Sequence, residues 1–136
     1  MDVHEFLVPG KPASVHERDR KAYRAYQDSV FIAGARVWPG NLPFVQDYAK
    51  MTIIVLCAEK GQPDVDNVIK PIMDALEPLY YATDAMISHV EARRVNWPEH
   101  RVEDVRLPDL LKSSWIEGRE CVYVRLEPAS KPEHVS

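Results

Sequence analysis

Residues 63 to 76 read Pro-Asp-Val-Asp-Asn-Val-Ile-Lys-Pro-Ile-Met-Asp-Ala-Leu and carry most of the chemistry in this 136-residue chain. Asp64 and Asp66 are carboxylates one residue apart, directly ahead of an apolar helical stretch. Lys70 follows Asp66 by four residues, and Asp74 follows Lys70 by four. A second string, Ala82-Thr83-Asp84-Ala85-Met86-Ile87, delivers one more carboxylate where the next extended run begins. Acids and one lysine, with no histidine or cysteine in either string, suit a hard divalent cation that prefers oxygen ligands: Mg²⁺, with Mn²⁺ as a substitute. The usual partner of such a site is a phosphate, and its usual chemistry is hydrolysis at phosphorus.

Duller readings compete with this one. On a helix, residues 66, 70 and 74 share one face, and an isolated Asp–Lys–Asp triplet is most often a solvated face worth a few tenths of a kcal/mol per pair. Here the triplet comes with Asp64 and Asp84, both at element ends, which favours a metal site. A calcium-loop reading of Asp64 and Asp66 fails. That pattern needs a third oxygen ligand at Val68, glycine at Ile69 and glutamate at Ala75.

The string Asp64-Val65-Asp66-Asn67, then Lys70, then Asp74-Ala75-Leu76, then Asp84 before a strand, closely resembles the RusA family of Holliday junction resolvases. The resemblance is dense from Gln62 to about Val90 and thins to a match of element order over residues 3–60 and 120–127. It implies a small, homodimeric, Mg²⁺-dependent endonuclease that cuts four-way DNA junctions symmetrically. It also implies that Asp64, Asp66 and Asp84 are the metal ligands and that Lys70 holds a phosphate oxygen or stabilises charge in the transition state. Asp74 is a further acid of the site or a pairing residue, and Asn67 fixes the loop through backbone bonds. One departure is Thr83-Asp84, where the family often shows paired acids. Asp84 is aligned with the essential acid because it precedes Ala85-Met86-Ile87.

The overall balance is acidic, with net charge −4 and pI near 5.7, which runs against the basic surface that DNA binding requires. Charge is uneven, however. Residues 11–36 hold six basic side chains (Lys11, Arg18, Arg20, Lys21, Arg24, Arg36) against three acids (Glu17, Asp19, Asp28), a local excess of +3. Arg18, Arg20, Lys21 and Arg24, interleaved with Tyr23 and Tyr26, are the candidate grip on a DNA backbone; a charged helix is as often merely solvated. The longest apolar run, 51–58, is too short to span a bilayer. No amino-terminal signal is read, and the expected location is the cytoplasm of a bacterium or prophage host. Cys57 and Cys121 each sit in strand-like segments and read as reduced core residues. His89 reads as structural, and Trp38, Trp97 and Trp115 as core or dimer contacts.

The elements that must position these groups follow from periodicity. Residues 3–8 read as a strand ended by Pro9-Gly10. Ser14 and Glu17 form a capping box for a helix to about Arg36, with Ala22, Tyr26, Val30, Ala33 and Val37 as its buried stripe. Residues 38–43 read as a loop, 51–58 as a central strand covered on both faces, and 59–63 as a turn. Asp66 or Asn67 should cap the motif's helix, with a kinked start at Pro71. Strands are expected over 86–95 and 120–127. In the latter, Val122, Val124 and Leu126 face one way and Cys121, Tyr123 and Arg125 the other. Residues 96–119 read as a folded excursion with one helical turn.

The expected fold is α+β: a small mixed β-sheet with two main helices, one domain over 1–127 and a disordered tail over 128–136. Symmetric junction resolution requires two active sites related by a twofold axis, hence a homodimer, with helix 14–36 or the 96–119 excursion at its interface. The alternatives are a junction-binding architectural protein with weak or lost cleavage, and a nuclease for other branched DNA.

Overall fold

The computed structural model describes residues 3–58, 64–96 and 105–131. Four strands form one mixed sheet in the order β1-β4-β2-β3: β1 His4–Pro9, β2 Ala49–Cys57, β3 Ile87–Asn96 and β4 Cys121–Pro128. β4 lies between β1 and β2 and runs antiparallel to both, whereas β2 and β3 are parallel, with Ala49 opposite Ile87 and Cys57 opposite Asn96. The β2 run Met51-Thr52-Ile53-Ile54-Val55-Leu56-Cys57 is buried almost throughout, as befits a central strand covered on both faces.

Three helices cover the sheet: α1 Arg20–Val37, α2 Asp66–Leu76 and α3 Asp109–Glu117. α1 and α2 pack on one face over Phe6, Val8, Met51, Ile53, Val55, Val122, Val124 and Leu126. α3 covers part of the opposite face, where Leu111 meets Ile54, Leu56, Cys121 and Tyr123. The alternation expected for β4 therefore holds, one set of side chains entering each core.

Among the described residues there are three α-helices, where two main helices were expected. Residues 96–119 contribute all of α3 rather than one turn, started after Pro108 and ended by Gly118 at φ 68°. There the Arg119 N–H bonds the Ser114 carbonyl at 2.9 Å and the Gly118 N–H bonds that of Trp115 at 3.0 Å, the usual closure of a helix on a left-handed glycine. Trp115 packs against the second core and Trp38 against the first; Trp97 and the 59–63 turn lie outside the described residues.

α1 also starts later than expected. Asp19, not Ser14, is its N-cap and accepts the N–H groups of Lys21 and Ala22, each at 3.1 Å. Ser14 and Glu17 serve a local turn instead: His16 N–H bonds Ser14 Oγ at 3.0 Å and Asp19 N–H bonds Glu17 Oε1 at 3.1 Å. The capping pair satisfies backbone donors without a helix attached. The buried stripe is Tyr23, Tyr26, Val30 and Gly34, while Ala22 and Val37 are exposed.

Gly34 allows a close approach. A Cβ there would stand 3.0 Å from both Leu76 Cδ2 and Tyr80 Cε2 and 3.4 Å from Phe6 Cζ. The buried Tyr80 hydroxyl donates to the Gly34 carbonyl at 2.9 Å, a bond worth about 1 kcal/mol. Both cysteines are free and buried, and burial pushes their thiols up. Ordered structure continues into the stretch expected as a tail. β4 includes Pro128, Ala129 N–H bonds the Tyr48 carbonyl at 3.0 Å, and Ser88 Oγ donates to the Ser130 carbonyl at 3.0 Å. Residues 132–136 lie outside the described residues.

Candidate active site

The acidic string sits where β2 hands the chain to α2. Asp64 opens the turn: its carbonyl accepts the Asn67 N–H at 3.1 Å, and that of Val65 accepts the Val68 N–H at 3.2 Å. Val65 occupies the cap position in helical geometry with no side-chain cap bond, and Asp66 is the first helical residue. The expectation that Asp66 or Asn67 caps the helix by its side chain is therefore not met. Both carboxylates are exposed, at the end of α2 where the helix dipole favours negative charge.

α2 continues through Pro71 to Leu76. Its apolar face, Val68, Ile72 and Leu76, is fully buried, which turns Asp66, Lys70 and Asp74 outward at helical spacing. Lys70 Nζ lies 3.3 Å from Asp74 Oδ1, with 64% of the lysine side chain and 38% of the aspartate exposed. An exposed pair of this spacing contributes about 0.3–0.5 kcal/mol, so Lys70 is free to exchange Asp74 for a stronger anion.

Asp84 lies elsewhere. It opens a 3-10 turn, Asp84–Met86, capped by Thr83, whose Oγ1 accepts the Ala85 N–H at 3.4 Å. Thr83 thus does a capping task at the position where a second acid is often found. The turn leads into β3, whose first residue stands opposite the first residue of β2, whereas Asp64 and Asp66 follow the last residue of β2. The parallel β2–α2–β3 connection therefore sets them toward opposite ends of α2, a helix of 11 residues or roughly 16 Å. Asp84, with Glu77 and Asp74, acts electrostatically on the buried Tyr81, whose hydroxyl donates to the Met73 carbonyl at 2.5 Å. Burial first, then these three acids, push the Tyr81 hydroxyl well above its ordinary pKa.

Among the described residues, no three His, Cys, Asp or Glu side chains are close enough to hold a metal ion together. The donor chemistry still fits Mg²⁺ at the pair. Asp64 and Asp66 are exposed hard oxygens, and Mg²⁺ is held by one or two carboxylates while keeping waters and taking substrate phosphate oxygens. Within one chain Asp84 does not complete that pair.

Arg18, Arg20, Lys21 and Arg24 are all exposed around the start of α1. Arg20 donates to the Glu17 carbonyl at 3.3 Å, and its guanidinium stands 4.3 Å from the Tyr23 ring centroid. The first turn of α1 contains no acid, so these cations oppose the helix dipole and helix stability does not explain them. The segment meets the acidic string directly through a bond from Val15 N–H to the Asn67 carbonyl, 2.8 Å.

A second basic surface was not anticipated. On the sheet face left open by α3, Lys50, Arg93, Arg106 and Arg125 line a groove of about 370 Å³ together with Glu91, Glu127 and Tyr123. Lys50 pairs with Glu91 at 3.0 Å and Arg125 with Glu127 at 3.4 Å; Arg93 donates to the Arg106 carbonyl. The period-two spacing of Arg93 from Glu91, and of Arg125 from Glu127, was the available signal. His89 is exposed, 3.0 Å from Ser88 Oγ.

The mixed sheet thus carries an exposed acid pair and a lysine at one helix start, and comparison with protein families gives this framework a name. The family model of endodeoxyribonuclease RusA matches residues 11–106, well over half of the chain. The chain belongs to this family of DNA-cutting nucleases. The match includes the basic segment, the acidic string and Asp84, and it ends before α3. A comparison with curated proteins finds no match. Among the described residues, no helix is long and apolar enough to cross a membrane.

Proposed function

We propose that this chain is a Mg²⁺-dependent endodeoxyribonuclease that resolves four-way DNA junctions by phosphodiester hydrolysis, acting as a homodimer. The observation that carries the reading is the exposed Asp64–Asp66 pair at the start of α2 with Lys70 one turn further on. Asp64 and Asp66 hold the ion. The chemistry Mg²⁺ supplies when bound is polarisation of the phosphate and acidification of a water molecule.

The remaining tasks belong to side chains. Lys70 leaves its weak pairing with Asp74 and donates to a phosphate oxygen, where its charge counts most as negative charge develops. Arg18, Arg20, Lys21 and Arg24 neutralise backbone phosphates and set the register of the strand. The separation of Asp84 from the acid pair supports the homodimer: a twofold partner running antiparallel along α2 would set its Asp84 end against this chain's Asp64 end. It would also supply the second site that a paired incision needs.

A second reading, a junction-binding protein with weak cleavage, is favoured by the capping role of Thr83 and by the distance of Asp84. The experiment that separates the readings incubates labelled four-way junction, flap, fork and linear duplex DNA with and without Mg²⁺. Paired, Mg²⁺-dependent incision of the junction alone supports the resolvase; binding without incision supports the second reading; incision of flaps or forks in preference to the four-way junction moves the substrate to other branched DNA.

A further inference from the structure

α2 carries a proline in its interior, and the bond Pro71 cannot make is used elsewhere. In a regular helix the Asn67 carbonyl accepts the N–H of residue 71, but Pro71 has none. The Asn67 carbonyl instead accepts the Val15 N–H at 2.8 Å. A second bond ties α1 to the same turn, from Gln27 Nε2 to the Pro71 carbonyl at 3.2 Å. Val15 belongs to the stretch between β1 and α1, which has no helix or strand of its own. The stretch is also held at its start, where Gly10 N–H bonds the Glu120 carbonyl at 2.9 Å, by turn bonds around Ser14 and Glu17 and by the packing of Ala13 on the core. Asn67 is the neighbour of Asp66, so the Val15 bond fixes the part of the stretch leading to Arg18, Arg20 and Lys21 beside the acid pair.

We propose that Pro71 is a positioning residue: by leaving the Asn67 carbonyl open it docks residues 11–19 on α2 and presents Arg18, Arg20 and Lys21 to the phosphates of a DNA strand at the Asp64–Asp66 site. The identity of that ligand rests on the nuclease reading above; the docking itself does not. Any other residue at position 71 restores an N–H that competes with Val15 for the same carbonyl. Alanine also raises helix propensity, so loss of folding is not the expected failure.

The test compares the wild-type chain with Pro71→Ala by amide hydrogen exchange at Val15 and by binding of a fluorescent four-way junction across a salt series without divalent ions. In Pro71→Ala the Val15 amide exchanges about tenfold faster, as loss of one hydrogen bond allows. Junction affinity falls by a similar factor with a shallower salt slope. Turnover at saturating DNA and Mg²⁺ is unchanged, so the loss appears in KM. Val15→Pro, which removes the donor from the other side, gives the same loss of affinity. Unchanged Val15 exchange in Pro71→Ala overturns the docking. Faster exchange with full junction affinity overturns the presentation of the basic residues. A wild-type chain that binds no DNA overturns the nuclease reading and the presentation together, while the exchange measurement, which needs no DNA, still decides the docking.

Discussion

Asp66 and Asp84 stand at opposite ends of α2, Asp66 as its first residue and Asp84 in the turn that returns the chain to β3. Oxygen ligands of one Mg²⁺ each lie near 2.1 Å from the ion, and Asp64, Asp66 and Asp84 of one chain are not grouped closely enough to share it. If Asp84 is a ligand, it serves the partner's acid pair.

Complementation follows from this. Asp66→Asn and Asp84→Asn proteins are each expected to be inactive alone. Mixed and allowed to exchange subunits, they form heterodimers with one intact shared site and should nick junctions at up to about half the wild-type specific activity of those heterodimers. If each site were built within one chain, every site in the mixture would carry a defect and the mixture would stay inactive. Light scattering on the wild-type chain at micromolar concentration should give the dimer mass.

Lys70→Ala should reduce kcat on the order of 10²-fold with a smaller effect on junction affinity, because its proposed contact strengthens in the transition state. Thermal unfolding should hardly move, since the pairing with Asp74 contributes about 0.3–0.5 kcal/mol. Single-turnover cleavage beside a binding titration separates the two effects.

Arg20→Ala and Arg24→Ala should each weaken binding and lower the salt slope of log affinity by about 1, leaving the rate at saturating DNA intact. An unchanged slope would assign these side chains to ordinary solvation.

Gly34→Ala should destabilise the fold. The added methyl meets Leu76 and Tyr80 at 3.0 Å, and both are fully buried. Overpacking of this kind costs about 1–3 kcal/mol, against about 1 kcal/mol gained in helix propensity. The melting temperature should fall by a few degrees, with cleavage by the folded fraction unaffected.

Much of the framework was legible because its signals are local. The unbroken apolar run of β2 and the alternation of β4 depend only on burial, and both are found. The outward face shared by Asp66, Lys70 and Asp74 follows from helical spacing alone. What was misread depends on competition or on topology. Ser14 and Glu17 satisfy a helix start and a free turn equally well, and Asp19 wins because Tyr23, Tyr26 and Val30 set the buried face that begins at Arg20. α3 exceeds the single turn expected because its sequence signal is only the short apolar stretch 107–111 beside prolines, while its buried residues Leu111 and Ser114 give little periodicity. The second string looked like part of one acid cluster because "start of the next strand" does not say which end of the sheet. The parallel pairing of β3 with β2 decides that, and no residue near Asp84 encodes it.

The most direct test of the central claim is the Asp66→Asn protein with labelled four-way junction and Mg²⁺, assayed for cleavage and for binding together. Loss of a carboxylate at the acid pair should abolish cleavage. Binding should be retained or tightened, because one negative charge facing the phosphates is gone. Cleavage at the wild-type rate would remove the acid pair from the mechanism.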